Sequence, residues 1–167
     1  MPKLTILLYP DKRLHTVAQP VYAVNDEIRQ LIKDMGAAMY AAPGVGLAAT
    51  QVDVHQRVIV IDTSPARDTL RAFINPEILE ANGIADCEEG CLSLPGIYEK
   101  TQRAQHVRVR ALGADGLPFE HTTEGLEAVC IQHEMDHLDG KVFVERLSRL
   151  KQQRILAKIK KRLRDDA

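Results

Sequence analysis

At 167 residues, with 45% hydrophobic and 27% charged side chains, the chain has the size and balance of a single globular domain with its own core. No apolar run approaches the roughly 20 residues of a membrane span, and the N-terminal stretch Leu4–Tyr9 is too short for a signal-peptide core and runs into Pro10-Asp11-Lys12-Arg13. A cytoplasmic protein with no membrane partner is expected.

Net charge is −1, unevenly spread: residues 1–147 carry 14 basic and 21 acidic side chains, residues 148–167 carry 8 basic and 2 acidic. A basic tail of this kind fits an anionic partner, nucleic acid foremost, as well as a merely solvated helix face. The three cysteines read as thiols or metal ligands. If residues 87–91 are extended, Cys87 and Cys91 stand roughly 13 Å apart, beyond the ~7 Å that a disulfide bridges.

In chain order, Asn25 caps a helix to about Ala41, with Ile28, Leu31, Ile32, Met35 and Met39 on one face and Pro43-Gly44 ending it. Arg57–Ile61 reads as a strand, and Leu70–Ile74 as another that stops before Asn75-Pro76. His106–Leu112 alternates cleanly, and a turn at Ala114-Asp115-Gly116 leads to a strand near Phe119. Thr122 or Thr123 is expected to cap a helix that runs to about Leu138 and stops before Gly140. Ser148 to about Arg164 is a last helix, with Leu156, Ile159 and Leu163 on one side. Strands grouped between helices without βαβ alternation give an α+β domain. Its mixed or antiparallel strands are expected to pack around the buried central helix, with a basic amphipathic C-terminal helix appended. Residues 1–147 would form the catalytic domain, and 148–167 a helix of the same domain free to dock.

The central helix carries His133-Glu134-Met135-Asp136-His137, an HExxH spacing that stacks two imidazoles on one helical face, with a carboxylate beside them that can take a proton from water. Leu126, Val129, Cys130, His133 and His137 share a face at about 100° per residue, Ile131, Met135 and Leu138 form a second apolar stripe, and Gln132, Asp136 and Asp139 form a narrow polar edge. A helix apolar on most sides is buried, so both histidines and Glu134 should be inside the protein.

A catalytic metal site of this kind needs a third protein ligand. A metzincin would place a histidine where Phe143 stands, and the one downstream glutamate, Glu145, is only eight residues past His137. The third ligand is therefore expected upstream. Cys91, in Glu89-Gly90-Cys91-Leu92-Ser93, is the leading candidate, with Cys130 and Cys87 as rivals that also read as small buried hydrophobes. Gly44-Val45-Gly46-Leu47-Ala48-Ala49-Thr50-Gln51 also satisfies a dinucleotide-type G-x-G-x-x-A pattern, but it follows a helix where that fingerprint needs a strand. Its glycines allow close approach to a ligand, and Gln51 can donate to an oxyanion.

Together GVGLAATQ, EGCLS and QHEMDHLDG resemble the motifs of peptide deformylase, in that family's order and spacing, and the similarity extends along nearly all of the chain. The resemblance implies hydrolysis of the formyl group from N-formylmethionine on nascent peptides. It implies a metal held by Cys91, His133 and His137: ferrous iron, with nickel, cobalt or zinc able to substitute. Glu134 would be the general base and acid, and Gln51 and the Leu92 N–H would meet the oxyanion. Gly46 would bind substrate backbone, and Val45, Glu89, Leu126, Val129 and Cys130 would line the methionine pocket together with Leu92 and His133. Cys87 stands where relatives often carry an aliphatic residue. Arg103 is expected to form a structural ion pair. Some deformylases dock on the ribosome through a long C-terminal helix, which the basic tail here fits. The rival functions are an HExxH zinc endopeptidase and a non-catalytic ribosome-binding module.

Overall fold

Four consecutive β-branched residues, Val58–Ile61, form a strand buried along its whole length, and the two layers of the protein are organised on either side of it. The computed structural model describes residues 4–165; the outermost residues of the two expected stretches, 1–3 and 166–167, lie outside it. Seven strands and three α-helices are described: α1 (Asp26–Ala41), β1 (Gly46–Ala48), β2 (Val58–Ile61), β3 (Arg71–Asn82), β4 (Ala85–Cys91), β5 (Leu94–Arg103), β6 (His106–Leu112), β7 (Pro118–Glu124), α2 (Gly125–Leu138) and α3 (Arg149–Asp165). Short 3-10 turns lie at Lys12–His15, Ala49–Val52 and Phe143–Arg146. A five-stranded antiparallel sheet runs in the order β1-β2-β3-β6-β7, and β4-β5 is a separate antiparallel hairpin.

Strand alternation sends the two halves of β2 to opposite helices. Val58 and Val60 join Leu47 and Ile74 against Ile28, Ile32, Met35 and Met39 of α1. Ile59 and Ile61 join Phe73, Val107 and Val109 against Ala128, Cys130, Ile131 and Leu138 of α2. A third cluster joins Leu94 and Ile97 of β5 to Leu7, Leu14, Phe143, Val144 and Ile155, with Cys91 and Ile159 packed on it. Among the described residues no helix is long and apolar enough to cross a membrane.

Asn25 caps α1 as expected, accepting from Ile28 N at 3.1 Å. Three expectations are corrected. β3 does not stop at Asn75-Pro76 but continues to Asn82. Asn75 takes φ +51 and the pairing with β6 shifts register there, so the strand bends through an Asn in the left-handed region, not a break. Thr122 and Thr123 belong to β7, and the N-cap of α2 is Glu124, with no side-chain capping bond. On α3 Ile155 and Ile159 pack inward, while Leu163 is 64% exposed. The hairpin β4-β5 is an addition to the elements read from sequence.

Asn75 also clamps the N-terminal arm, accepting from Val21 N at 2.8 Å and donating to Val21 O at 2.9 Å. Asn75→Ala should therefore cost ~2–4 kcal/mol, from the left-handed backbone and the unpaired Val21 groups. Chemical denaturation should show a lower midpoint at unchanged slope.

Candidate metal centre

α2 packs on the five-stranded sheet and bonds to the β4-β5 hairpin through His133 to Glu89 and Asp136 to Arg103. A ligand atom from each of Cys91, His133 and His137 falls within a group no wider than 4.8 Å. Cys91 Sγ is 3.4 Å from His137 Nε2, and the two imidazole centroids are 5.0 Å apart. A thiolate and two imidazoles suit a divalent transition metal. Neither rival cysteine belongs to this group. Cys130 is buried, and that burial pushes its thiol up to about 12. Cys87 touches Thr101 Oγ1 at 3.4 Å and Glu89 Oε2 at 4.0 Å. All three thiols are free. Phe143 packs its ring 5.7 Å from that of His133. Glu145 bonds His15 and Val142 N, away from the site.

Glu89 stands behind His133. Its Oε1 accepts from His133 Nδ1 at 2.7 Å and Arg103 Nη2 at 2.9 Å; its Oε2 accepts from Arg103 Nε at 2.6 Å and from the Thr101 hydroxyl. Burial alone would raise this carboxyl; His133, Arg103 and Thr101 outweigh it and hold Glu89 well below the usual carboxylate range. With Nδ1 so engaged, Nε2 is the His133 atom left to ligate. Glu89, expected among the residues of the methionine pocket, thus also holds His133 through its Nδ1. Arg103, its side chain fully buried, also donates to Asp136 at 2.8 Å. It forms the expected structural ion pair, and losing one partner of such a buried pair costs ~3–5 kcal/mol.

Glu134 is buried, and its Oε1 has no hydrogen-bond partner. Burial first, against the opposing pull of His133 and Arg103, lifts its carboxyl to about 7. An orphaned buried carboxylate oxygen beside three convergent ligand atoms fits a bound cation with its associated water.

Gly46 lies directly against that carboxylate: a Cβ there would stand 2.6 Å from Glu134 Oε2 and 3.1 Å from Ile61 Cδ1. Gln51, 1% exposed, accepts from Ala48 N at 3.0 Å, donates to Ser93 Oγ at 3.0 Å, and has its amide nitrogen 3.6 Å from Cys91 Sγ. Its amide nitrogen is thereby held beside Cys91. Leu92 begins the two-residue turn between β4 and β5, so its backbone N–H directly follows the ligand cysteine. Of the other expected pocket residues, Val129 and Cys130 are buried, whereas Val45 (37%) and Leu126 (61%) are exposed. Ser93, Thr101 and Asp136 were given no role from sequence. Ser93 belongs to the EGCLS segment and could have been suspected; Thr101 is found only through its pairing with Cys87.

A profile of the family described as Polypeptide deformylase matches residues 3–153. Peptide deformylase 2 of Nitrosomonas europaea is 61% identical over 164 residues, covering 98% of this chain and 89% of that protein. Peptide deformylase 1 of Burkholderia multivorans is 64% identical over 162 residues, covering 96% and 90%. The crystal structure of a peptide deformylase from Legionella pneumophila superposes with a TM-score of 0.92 at 46% identity, covering 97% of this chain and 96% of that one.

Gly46→Ala keeps a non-left-handed backbone position and should act through the displaced Glu134 carboxylate. We expect kcat for release of formate to fall about 10–100-fold, with stability within ~1 kcal/mol of the parent by denaturation.

Proposed function

The chain belongs to the peptide deformylase family, metal-dependent hydrolases that remove the formyl group from the N-terminal formylmethionine of newly made proteins, and from that membership we propose how its own residues carry the reaction. Cys91, His133 and His137 hold the metal, which we assign as ferrous iron, with nickel, cobalt or zinc able to substitute; the observation that carries the site is the convergence of these three ligands beside Glu134. When bound, the metal supplies a Lewis acid that polarises the formyl carbonyl and acidifies water. Glu134 takes the proton as water adds to the formyl carbon and returns it to the departing amine nitrogen, so that formate and a free methionyl N-terminus result. The Gln51 amide and the Leu92 N–H meet the oxyanion, and Glu89 and Arg103 keep His133 in register.

The substrate main chain lies along Gly46. Its methionine side chain enters a pocket lined by Val45, Glu89, Leu92, Leu126, Val129, Cys130 and His133. Support for α2 as the helix around which the strands pack comes from its burial against the sheet and its polar bonds to the hairpin. We place the enzyme in the cytoplasm with its substrate, and read residues 1–147 as the catalytic body and 148–167 as a ribosome-docking extension. Lys160, Lys161 and Arg164 are exposed on the face of α3 turned away from Ile155.

Formate should be released from formyl-Met-Ala-Ser, with no cut in the unformylated peptide; internal cleavage would favour the endopeptidase reading. Glu134→Gln should lower kcat about 10²–10⁴-fold with metal content kept. Cys91→Ala should abolish metal binding while Cys130→Ala retains it, as measured by metal analysis of anaerobically prepared protein; the reverse would overturn the ligand set.

Reversing Lys160 and Lys161 to Glu should weaken ribosome binding and reduce the slope of log affinity against log salt by about 1–2, with turnover of short peptides unchanged. Equal affinity for ribosomes would remove the docking role.

A further inference from the structure

β1 is the end strand of its sheet, with β2 as its single partner. The Asp62 N–H donates to Val45 O at 2.9 Å. In an antiparallel ladder this puts Val45 and Leu47 among the residues bonded to β2, so the main-chain groups of Gly46 and Ala48 turn to the open edge. One end of that edge is closed from within, because the Ala48 N–H donates to Gln51 Oε1 at 3.0 Å. At the other end Arg67 Nη2 donates to the Gly44 carbonyl at 2.6 Å. The two caps leave the main chain of Gly46 as the part of the edge between them.

Arg67 reaches Gly44 because the loop after β2 is built around Asp62. This buried carboxylate accepts from the Tyr40 hydroxyl, from Ser64 N at 2.9 Å, from Ser64 Oγ at 2.6 Å and from Thr69 N at 3.1 Å. Arg67 N donates to Ser64 O in a turn, and its own backbone takes φ +55, a region that a non-glycine residue occupies only under constraint. Its guanidinium lies 5.2 Å from the centroid of the Tyr40 ring. Tyr40 thus holds Asp62 with its hydroxyl and Arg67 with its face. Tyr40, Asp62, Ser64, Arg67 and Thr69 all lie outside the three motifs that carry the chemistry.

We infer that Arg67 is a positioning residue for the substrate main chain: by capping the Gly44 carbonyl it holds the head of the β1 edge and confines pairing of an extended formylated peptide to Gly46. This rests on the deformylase reading of the same site. The charged donor makes the cap stronger than a neutral hydrogen bond. Gly46 itself stays opposite Glu134 through its pairing with Ile61. Loss of Arg67 therefore weakens binding of the peptide while sparing the chemical step, the signature of an interaction made equally in ground and transition states.

The test compares the metal-loaded parent with Arg67→Ala and Arg67→Lys. With formyl-Met-Ala-Ser, Arg67→Ala should raise KM about tenfold with kcat within about twofold, and Arg67→Lys should recover part of the loss, since a lysine offers a point charge without the planar fork. Amide hydrogen exchange at residues 44–48, read without substrate, should quicken in Arg67→Ala and not in Arg67→Lys. Unchanged KM and unchanged exchange would overturn the inference. So would an equal fall in kcat and kcat/KM accompanied by a lower melting temperature, which would mark a purely structural role. A parent enzyme that releases no formate would overturn the deformylase reading instead, and the exchange measurement alone would then decide the tether.

Discussion

The carboxylate of Glu89 is the point on which the site depends, because it is where the hairpin and the helix are held in register. Four donor groups converge on it: two nitrogens of Arg103, the Thr101 hydroxyl and His133 Nδ1. The same guanidinium reaches Asp136, three residues beyond His133, so one cation from β5 grips both β4 and α2. A buried arginine flanked by two carboxylates is stable only as a set, since removing any member leaves a charge without compensation. That interdependence fixes the position of Cys91, two residues beyond Glu89 on the same strand face, relative to the imidazoles.

Glycines join the three chemistry-bearing segments to one another. Glu134 lies against Gly46, Leu92 lies against Gly44, and the Tyr98 ring lies over Gly90, each where a Cβ would stand 2.6 Å or less from the neighbour. The glycine-rich segment therefore touches both the HExxH helix and the cysteine turn. It serves less as a flexible loop than as a surface thin enough for both to reach.

What could be read from the sequence follows from how local each determinant is. The helices α1 and α2 and the strand β6 announce themselves through unbroken periodicity, and the histidine pair needs only the i,i+4 spacing of one helix. The β4-β5 hairpin has no such signal. Its inward positions Cys87 and Glu89 make polar contacts with Thr101 and Arg103 in place of apolar ones, and the alternating Asp86 and Glu88 are exposed, so the apolar alternation that reveals a strand is missing. The expected end of β3 at Asn75-Pro76 failed for a related reason: a turn signal was absorbed into a strand by one left-handed asparagine. Roles that depend on strand register were hidden. Arg103 pairs with Ala85 and Thr101 with Cys87, and only that pairing brings them to Glu89.

The C-terminal helix shows why charge counts alone mislead. Of its basic side chains, Arg162 donates to Pro95 O at 2.5 Å and Lys151 lies 3.7 Å from Glu99, both on β5. Ile155 and Ile159 pack into the cluster that also holds Cys91 and Leu94. One face of α3 is thus spent on the β4-β5 hairpin, and Lys160, Lys161 and Arg164 are exposed on the other. Surface pairs such as Lys151–Glu99 add at most ~1 kcal/mol, so it is the burial of Ile155, not the charges, that seats the helix.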